Sequence, residues 1–355
     1  MTTEPQNTVA ADTAPEKETI EPSLMGIFAK ARFHQIVKDL AGQTNLGHLF
    51  GLGEAGDHNT EIRPAPDMGG GRKKPVHPLS AMDRRPDTRL QPLVLHGLTI
   101  ANLDEALKAI ATGKRLIVVF KHALPKEQCT SAAEKAILDT RREVYSVAPD
   151  VGRIGMSLYE TQFSEAAKQV YWARAQQDRE AVRQLFGANG CPIDTIRAMC
   201  EELPSFAGAE LLTIENQKAF IGLVRILTGG GDILPHIDGP GWDVPDALAC
   251  HLIDNNVAGN FYLRMPKEGG AITVYDHRFG KLEMDANRRP EPHEYAIADE
   301  ALPGRKVTYR PETGDLVFFS ASMPHAVSAV SDDAARVTLS FFVGIGQDRI
   351  LRLFS

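Results

Sequence analysis

The chain has 355 residues, 43% apolar and 24% charged, with a formal net charge of −7 and an isoelectric point near 5.9. That length accommodates one large catalytic domain, or one domain with an appended region. The acidic balance gives no electrostatic reason to expect nucleic acid as a partner, and the isolated basic run Arg72-Lys73-Lys74 reads as a solvated loop. No run of about 18 apolar residues is present to span a bilayer, and the polar start from Met1 to Glu18 lacks the basic and apolar regions of a secretory signal. Cys129, Cys191, Cys200 and Cys250 form no CxxC pair and are expected as free thiols in a reducing cytoplasm. Nothing in the composition fixes whether the chain self-associates.

In chain order, residues 1–22 are rich in Thr, Glu, Pro and Ala and are expected as a disordered tail. Leu24, Ile27, Phe28, Ala31, Val37 and Leu40 recur at helical spacing, ending near Gly42. The Gly- and Pro-rich stretch to residue 92, including Gly69-Gly70-Gly71, reads as an extended arm or linker, so 23–92 is a helix plus arm. A compact domain is expected over 93–355. It opens with strands at Leu93–Leu95 and Arg115–Phe120 around a helix near Leu103–Ala111. Helices then follow over Pro125–Arg142, Ser164–Phe186 and Ile193–Leu203.

After Glu210 the texture changes to short strands with turn signals. They are expected at Leu211–Thr213, Phe220–Leu227, Asn260–Met265, Ala271–Tyr275, Lys306–Arg310, Asp315–Phe319, Ala326–Val330 and Val337–Val343. That spacing indicates a β-sandwich or small barrel. Helices followed by a run of strands is an α+β pattern, with helices buttressing one sheet.

Of the eleven histidines, only His236 begins a His-x-Asp. Residues two apart on extended chain point to the same side, so His236 and Asp238 can converge on one ion. Pro235 and Gly239-Pro240-Gly241 favour a strand end opening into a loop. Gly314-Asp315 reads as a turn before a buried strand; His325 follows Pro324, and Arg336-Val337-Thr338 begins eleven positions after His325. Arg336, Thr338 and Ser340 share one strand face, opposite Val337, Leu339 and Phe341. An arginine pointing into a barrel of apolar strands is costly unless it meets an anion. A guanidinium matches a carboxylate with two parallel hydrogen bonds, and a neighbouring hydroxyl adds a third. Two histidines and a carboxylate on one face of a metal leave three positions open, as in non-haem iron(II) oxygenases. A 2-oxo acid can fill two and dioxygen the third, with Arg336 as anchor for the far carboxylate.

His236-x-Asp238, Tyr262-Leu263 through Gly269-Gly270, Gly314-Asp315, His325 and Arg336-x-Thr338 resemble the iron(II)/2-oxoglutarate oxygenase superfamily. The segment Tyr262–Gly270 resembles the prolyl-hydroxylase-type strand and turn. More narrowly, about Gly152 to Leu351 resembles the bacterial branch that includes free-standing indole-alkaloid halogenases. The resemblance implies a double-stranded β-helix (a cupin-like jelly roll) with iron at its open mouth, and oxidative decarboxylation of 2-oxoglutarate to succinate. Halogenating members carry Gly or Ala at the position of Asp238, so the resemblance here implies hydroxylation or another oxidation without halogen. The expected substrate is a small metabolite, not identified by the sequence.

Each assignment has a plainer alternative. His236 can be a core histidine with Asp238 a turn-former; His251, His277 and His293 are rival third ligands. Arg225 can contact substrate or 2-oxoglutarate, or lie at the surface. Asn260 and Tyr262 share a strand face; by resemblance they line the co-substrate pocket, or they serve structural polar packing. Trp242 is a candidate substrate lid or a packed loop anchor. A non-oxidative metalloenzyme on a cupin-like barrel would have no use for Arg336-x-Thr338, and a non-catalytic binding module would not need the full set.

Overall fold

A computed structural model of the chain describes residues 87–355 apart from 146, 147, 149, 332 and 333. The expected tail, the helix from Leu24 and nearly all of the arm lie outside the described residues. Four longer helices precede most of the strands: α1 (Ile100–Ala111), α2 (Lys126–Leu138), α3 (Glu165–Phe186) and α4 (Pro192–Glu201). The strands are β1 (Leu93–His96), β2 (Ile117–Lys121), β3 (Glu143–Val144), β4 (Val151–Ile154), β5 (Gly208–Leu211), β6 (Thr213–Ile214), β7 (Gln217–Lys218) and β8 (Leu223–Leu227). They continue with β9 (Ile233–His236), β10 (Asn255–Arg264), β11 (Ile272–Tyr275), β12 (Lys306–Tyr309), β13 (Leu316–Ser320), β14 (His325–Val327), β15 (Arg336–Ile345) and β16 (Ile350–Phe354).

The larger sheet runs β1-β2-β13-β10-β15-β8-β4-β3, with β16 joining β15 to β5. The smaller runs β12-β11-β14-β9. The two close on each other as a jelly-roll core, and helices cover the outer face of the larger sheet: α1 packs on β2, β10 and β13, and α2 on β10. Every residue of β15 is buried, which follows from having both faces covered. Its outer set, Val337, Leu339 and Phe341, is fully apolar. A Cβ on Gly222 would touch Leu339, Val182 of α3 and Ile193 of α4, so these side chains meet over that glycine. Arg336, Thr338 and Ser340 face the other way, into the space between the sheets.

Local sequence explains the helix ends. The Thr99 side chain accepts from Asn102 N at 3.2 Å to start α1, and Ser164 accepts from Ala167 N at 3.0 Å to start α3. α2 stops at Leu138, short of the expected Arg142, because the Asp139 carboxylate accepts from Arg141 N at 2.8 Å, a local turn that competes with the helix. The strand expected from Phe220 begins at Leu223, after Gly222 adopts φ +105°. β14 ends at Val327 rather than Val330. β4 and β16 had no clear signal in the sequence. Among the described residues no helix is long and apolar enough to cross a membrane. All four cysteines are buried and unpaired, in agreement with the sequence.

Candidate metal centre and co-substrate cavity

His236 ends β9 and His325 begins β14, and the two are direct cross-strand partners in the smaller sheet. Their ring centroids lie 4.3 Å apart. Each Nδ1 faces the backbone carbonyl two residues before it, Leu234 O at 2.8 Å and Met323 O at 3.0 Å. A carbonyl can only accept, so each Nδ1 carries the proton and each Nε2 keeps a free lone pair. Asp238 is held by its backbone: its N–H donates to Ala321 O at 3.1 Å, and its carbonyl accepts from Asn256 Nδ2 at 3.1 Å. The carboxylate then reaches both imidazoles, with Oδ1 3.7 Å from His236 Nε2 and Oδ2 3.2 Å from His325 Nε2.

All three ligand atoms lie within 4.8 Å of one another. Adjacent ligands around an ion at about 2.1 Å are separated by about 3 Å, so the set fits a single divalent ion. The electrostatics agree. Burial, reinforced by His325, pushes His236 down to about 4, leaving it neutral near pH 7. Burial alone would raise the Asp238 carboxyl, but His236, His325 and Arg225 hold it at about 2. A neutral imidazole and an ionised carboxylate are the forms that ligate a metal.

A cavity of about 120 Å³ opens beside this triad, between the two sheets. On one side stand Arg336, Thr338, Ser340 and Asn260. Arg336 is 2% exposed, and among the described residues it meets no carboxylate. Its Nη2 donates weakly to Tyr262 Oη at 3.4 Å, its guanidinium lies 5.0 Å from the centre of the Tyr262 ring, and its Nε has no partner. Burial depresses the guanidinium, partly offset by Tyr262. A buried cation with an unmatched donor is costly in isolation, and an anion is the partner that would relieve that cost. Gly270, at φ +69°, is where the chain passes the Arg336 stem: a Cβ there would lie 3.0 Å from Arg336 Cδ. Asn260 and Ser340 are cross-strand partners, as are Tyr262 and Thr338, so one strand pair delivers the polar wall.

Residues 92–352 match the family profile of the carrier-protein-independent halogenase WelO5. The chain belongs to that family. With it the chain belongs to the iron(II)- and 2-oxoglutarate-dependent oxygenases. The L-gamma-glutamyl-L-propargylglycine hydroxylase of Streptantibioticus cattleyicolor is 28% identical over 204 residues, spanning 55% of this chain and 70% of that relative. The crystal structure of an N-substituted L-amino acid dioxygenase from Burkholderia ambifaria is similar with a TM-score of 0.51 at 14% identity, covering 71% of this chain and 91% of that one. The same enzyme in complex with alpha-KG gives 0.50 at 15% identity. At such identities the likeness is one of fold, and it agrees with the jelly roll described above.

Within this halogenase-family fold, the residues singled out in the sequence fall into two groups. His236, Asp238, His325, Arg225, Asn260, Arg336 and Thr338 all line the one cavity, and Tyr262 stands behind Arg336. Trp242 does not line it. Its ring packs with Phe279, Met284, Ile297 and Ile237 in a small separate cluster, so the loop-anchor alternative describes it. The rival histidines lie elsewhere: His251 Nε2 meets Pro245 O at 2.7 Å, His277 pairs with Glu283 at 2.8 Å, and His293 is exposed. Three tyrosines of the lining, Tyr145, Tyr159 and Tyr295, were missed by the sequence reading. Tyr295 follows Pro290 and Pro292; its hydroxyl accepts from Leu234 N at 3.3 Å, and its ring centre lies 5.8 Å from that of His236. Nothing in its local sequence marks it, since it depends on a chain segment folding back over the mouth.

Proposed function

We propose that residues 93–355 form a hydroxylase domain acting on an unactivated C–H bond of a small metabolite. In this reading His236, Asp238 and His325 hold iron(II), and Arg336, aided by Thr338, Asn260 and Tyr262, binds the far carboxylate of 2-oxoglutarate. When bound, iron and 2-oxoglutarate with dioxygen supply the oxidising power, releasing succinate and carbon dioxide. The chain's own part is to orient and to keep water out. The two Nδ1–H···O=C contacts fix the imidazoles, Arg336 fixes the co-substrate, and apolar Ile233, Ile272, Phe319 and Val327 line the walls.

The carrying observation is Asp238, whose two oxygens face the two imidazole Nε2 atoms at 3.7 and 3.2 Å. With iron bound, a carboxylate there would occupy the coordination position, and supply the negative charge, that a halide would need. This supports hydroxylation over halogenation even within a family named for halogenases. The test is mass spectrometry of products formed with excess chloride or bromide. The natural protein should yield oxygenated product without halogen, and Asp238→Gly should lose most hydroxylation; a halogenated product with Asp238 intact overturns the reading. The four buried, unpaired thiols support a reducing, cytoplasmic setting.

A further inference from the structure

Two guanidinium groups face the cavity, and only Arg336 has been given a partner. Arg225 sits on β8 directly across from Thr338 of β15, so the two side chains share the cavity face. It forms no salt bridge among the described residues. Its neighbour across the other edge, Arg153, has by contrast two carboxylates: Nη1 bonds Glu143, and Nη2 bonds Glu160 Oε1 at 2.6 Å. Glu160 is further engaged by Ser157 N at 2.9 Å. Glu143 and Glu160 are therefore committed to Arg153, and the other acid that Arg225 feels, Asp238, faces the two imidazoles.

Beside Arg225 lies the Tyr145 side chain. Its hydroxyl is within hydrogen-bonding reach of the Arg225 guanidinium, which can only donate; Tyr145 is only 8% exposed, and among the described residues the hydroxyl has no acceptor for its own proton. Burying a hydroxyl with no acceptor beside a cation that has no salt bridge among the described residues is costly unless a ligand completes both. Charge counting points the same way. Among the described lining residues the charged groups are Asp238, Arg225 and Arg336. A divalent metal and doubly charged 2-oxoglutarate cancel each other, and Asp238 offsets one arginine, which leaves one positive charge. Apart from Ser157, the lining around Arg225 and Tyr145 is apolar or aromatic, with Ile233, Ile237, Tyr159 and Phe342.

We infer that Arg225 and the Tyr145 hydroxyl form a second carboxylate-binding subsite, and that the substrate is a small organic anion carrying a carboxylate on an apolar body. The inference rests on the oxygenase reading of the cavity. A carboxylate at Arg225 has two sources, the substrate or the metal-proximal end of 2-oxoglutarate, and we assign it to the substrate.

The test uses the full chain loaded with manganese(II) and saturating 2-oxoglutarate, without oxygen. Hexanoate and hexanamide, which differ in the charged group, are titrated by ligand-observed NMR. Hexanoate should bind at millimolar concentration and hexanamide should not. Arg225→Met should weaken hexanoate at least about tenfold, Tyr145→Phe less, and Arg225→Lys should restore part of the loss. The 2-oxoglutarate dissociation constant should stay within about twofold in Arg225→Met while Arg336→Ala raises it. No hexanoate binding, equal binding of the amide, or indifference to Arg225→Met with unchanged melting temperature overturns the subsite. Loss of 2-oxoglutarate affinity in Arg225→Met reassigns the arginine to the co-substrate and overturns the proposal too. Failure of the natural protein to bind manganese and 2-oxoglutarate at all would instead strike the oxygenase reading.

Discussion

Arg336 is a charge buried among strands, with Tyr262 as its one hydrogen-bond partner among the described residues. Its guanidinium can form a charge-assisted pair with a carboxylate in a site shielded from water, where such pairs are strongest. Arg336→Ala is expected to weaken 2-oxoglutarate binding by about 2–5 kcal/mol, a factor of tens to thousands, while metal affinity changes little. Isothermal titration of the manganese-loaded protein measures both; unaltered 2-oxoglutarate affinity would place the anchor elsewhere. The histidines give the opposite pattern. In the proposed ligand set, His236→Ala or His325→Ala removes one of three atoms that lie within 4.8 Å of each other, and the purified variants should lose iron. Metal analysis after anaerobic loading checks this, and unchanged iron content in either variant would sink the ligand assignment.

At the scale of elements, the site depends on two strand pairings. β9 against β14 sets His236 opposite His325, and β10 against β15 sets Asn260 and Tyr262 opposite Ser340 and Thr338. The second pairing is fixed partly from its far face, where Gly259 lies opposite both Phe341 and Phe318. Those two rings meet nearly edge to face at 5.7 Å, and a Cβ on Gly259 would lie 2.8 Å from Phe318 Cε1. Gly259→Ala should therefore overpack the core and cost about 1–3 kcal/mol. A stability loss measured by urea unfolding, with weaker 2-oxoglutarate binding in what remains folded, is the expected outcome. A variant as stable as the natural chain would mean that the rings part easily and the register is held by other contacts.

For the molecule as a whole, the cysteines report on packing. Burial raises Cys129 and Cys191 to about 11, and Cys200 and Cys250 to about 12. The thiolate is the reactive form, so at pH 8 each folded thiol is nearly all protonated as well as sealed from reagent. None of the four should react with a disulfide reagent on the minutes scale in native buffer, and all four should react once guanidinium unfolds the chain. Reaction falls off as folded structure is gained because the folded pKa values lie above the ordinary thiol range, so the protection should persist up to about pH 10. Rapid labelling of several thiols at pH 8 without denaturant would contradict this packing.

The residues proposed here for the metal and the co-substrate were legible in the sequence alone. His236, Asp238, His325, Arg336 and Thr338 carry their meaning in residue type and spacing, because a period of two aims alternate side chains at one face and the ligand types restrict the metal. The sequence also determined most helices and the long strands, where apolar periodicity and caps such as Thr99 and Ser164 are local signals. Tertiary structure decided the rest. β4 and β16 form only because a neighbouring strand edge accepts them, Trp242 packs away from the cavity because Phe279 and Met284 are there to cover it, and Tyr295 reaches His236 only through a folded-back segment. Arg225 is the sharpest case. Whether it was a surface arginine or a cavity cation depended on which strand lay beside it and which acids Arg153 had already taken, and partners so distant in the chain leave no local pattern to read.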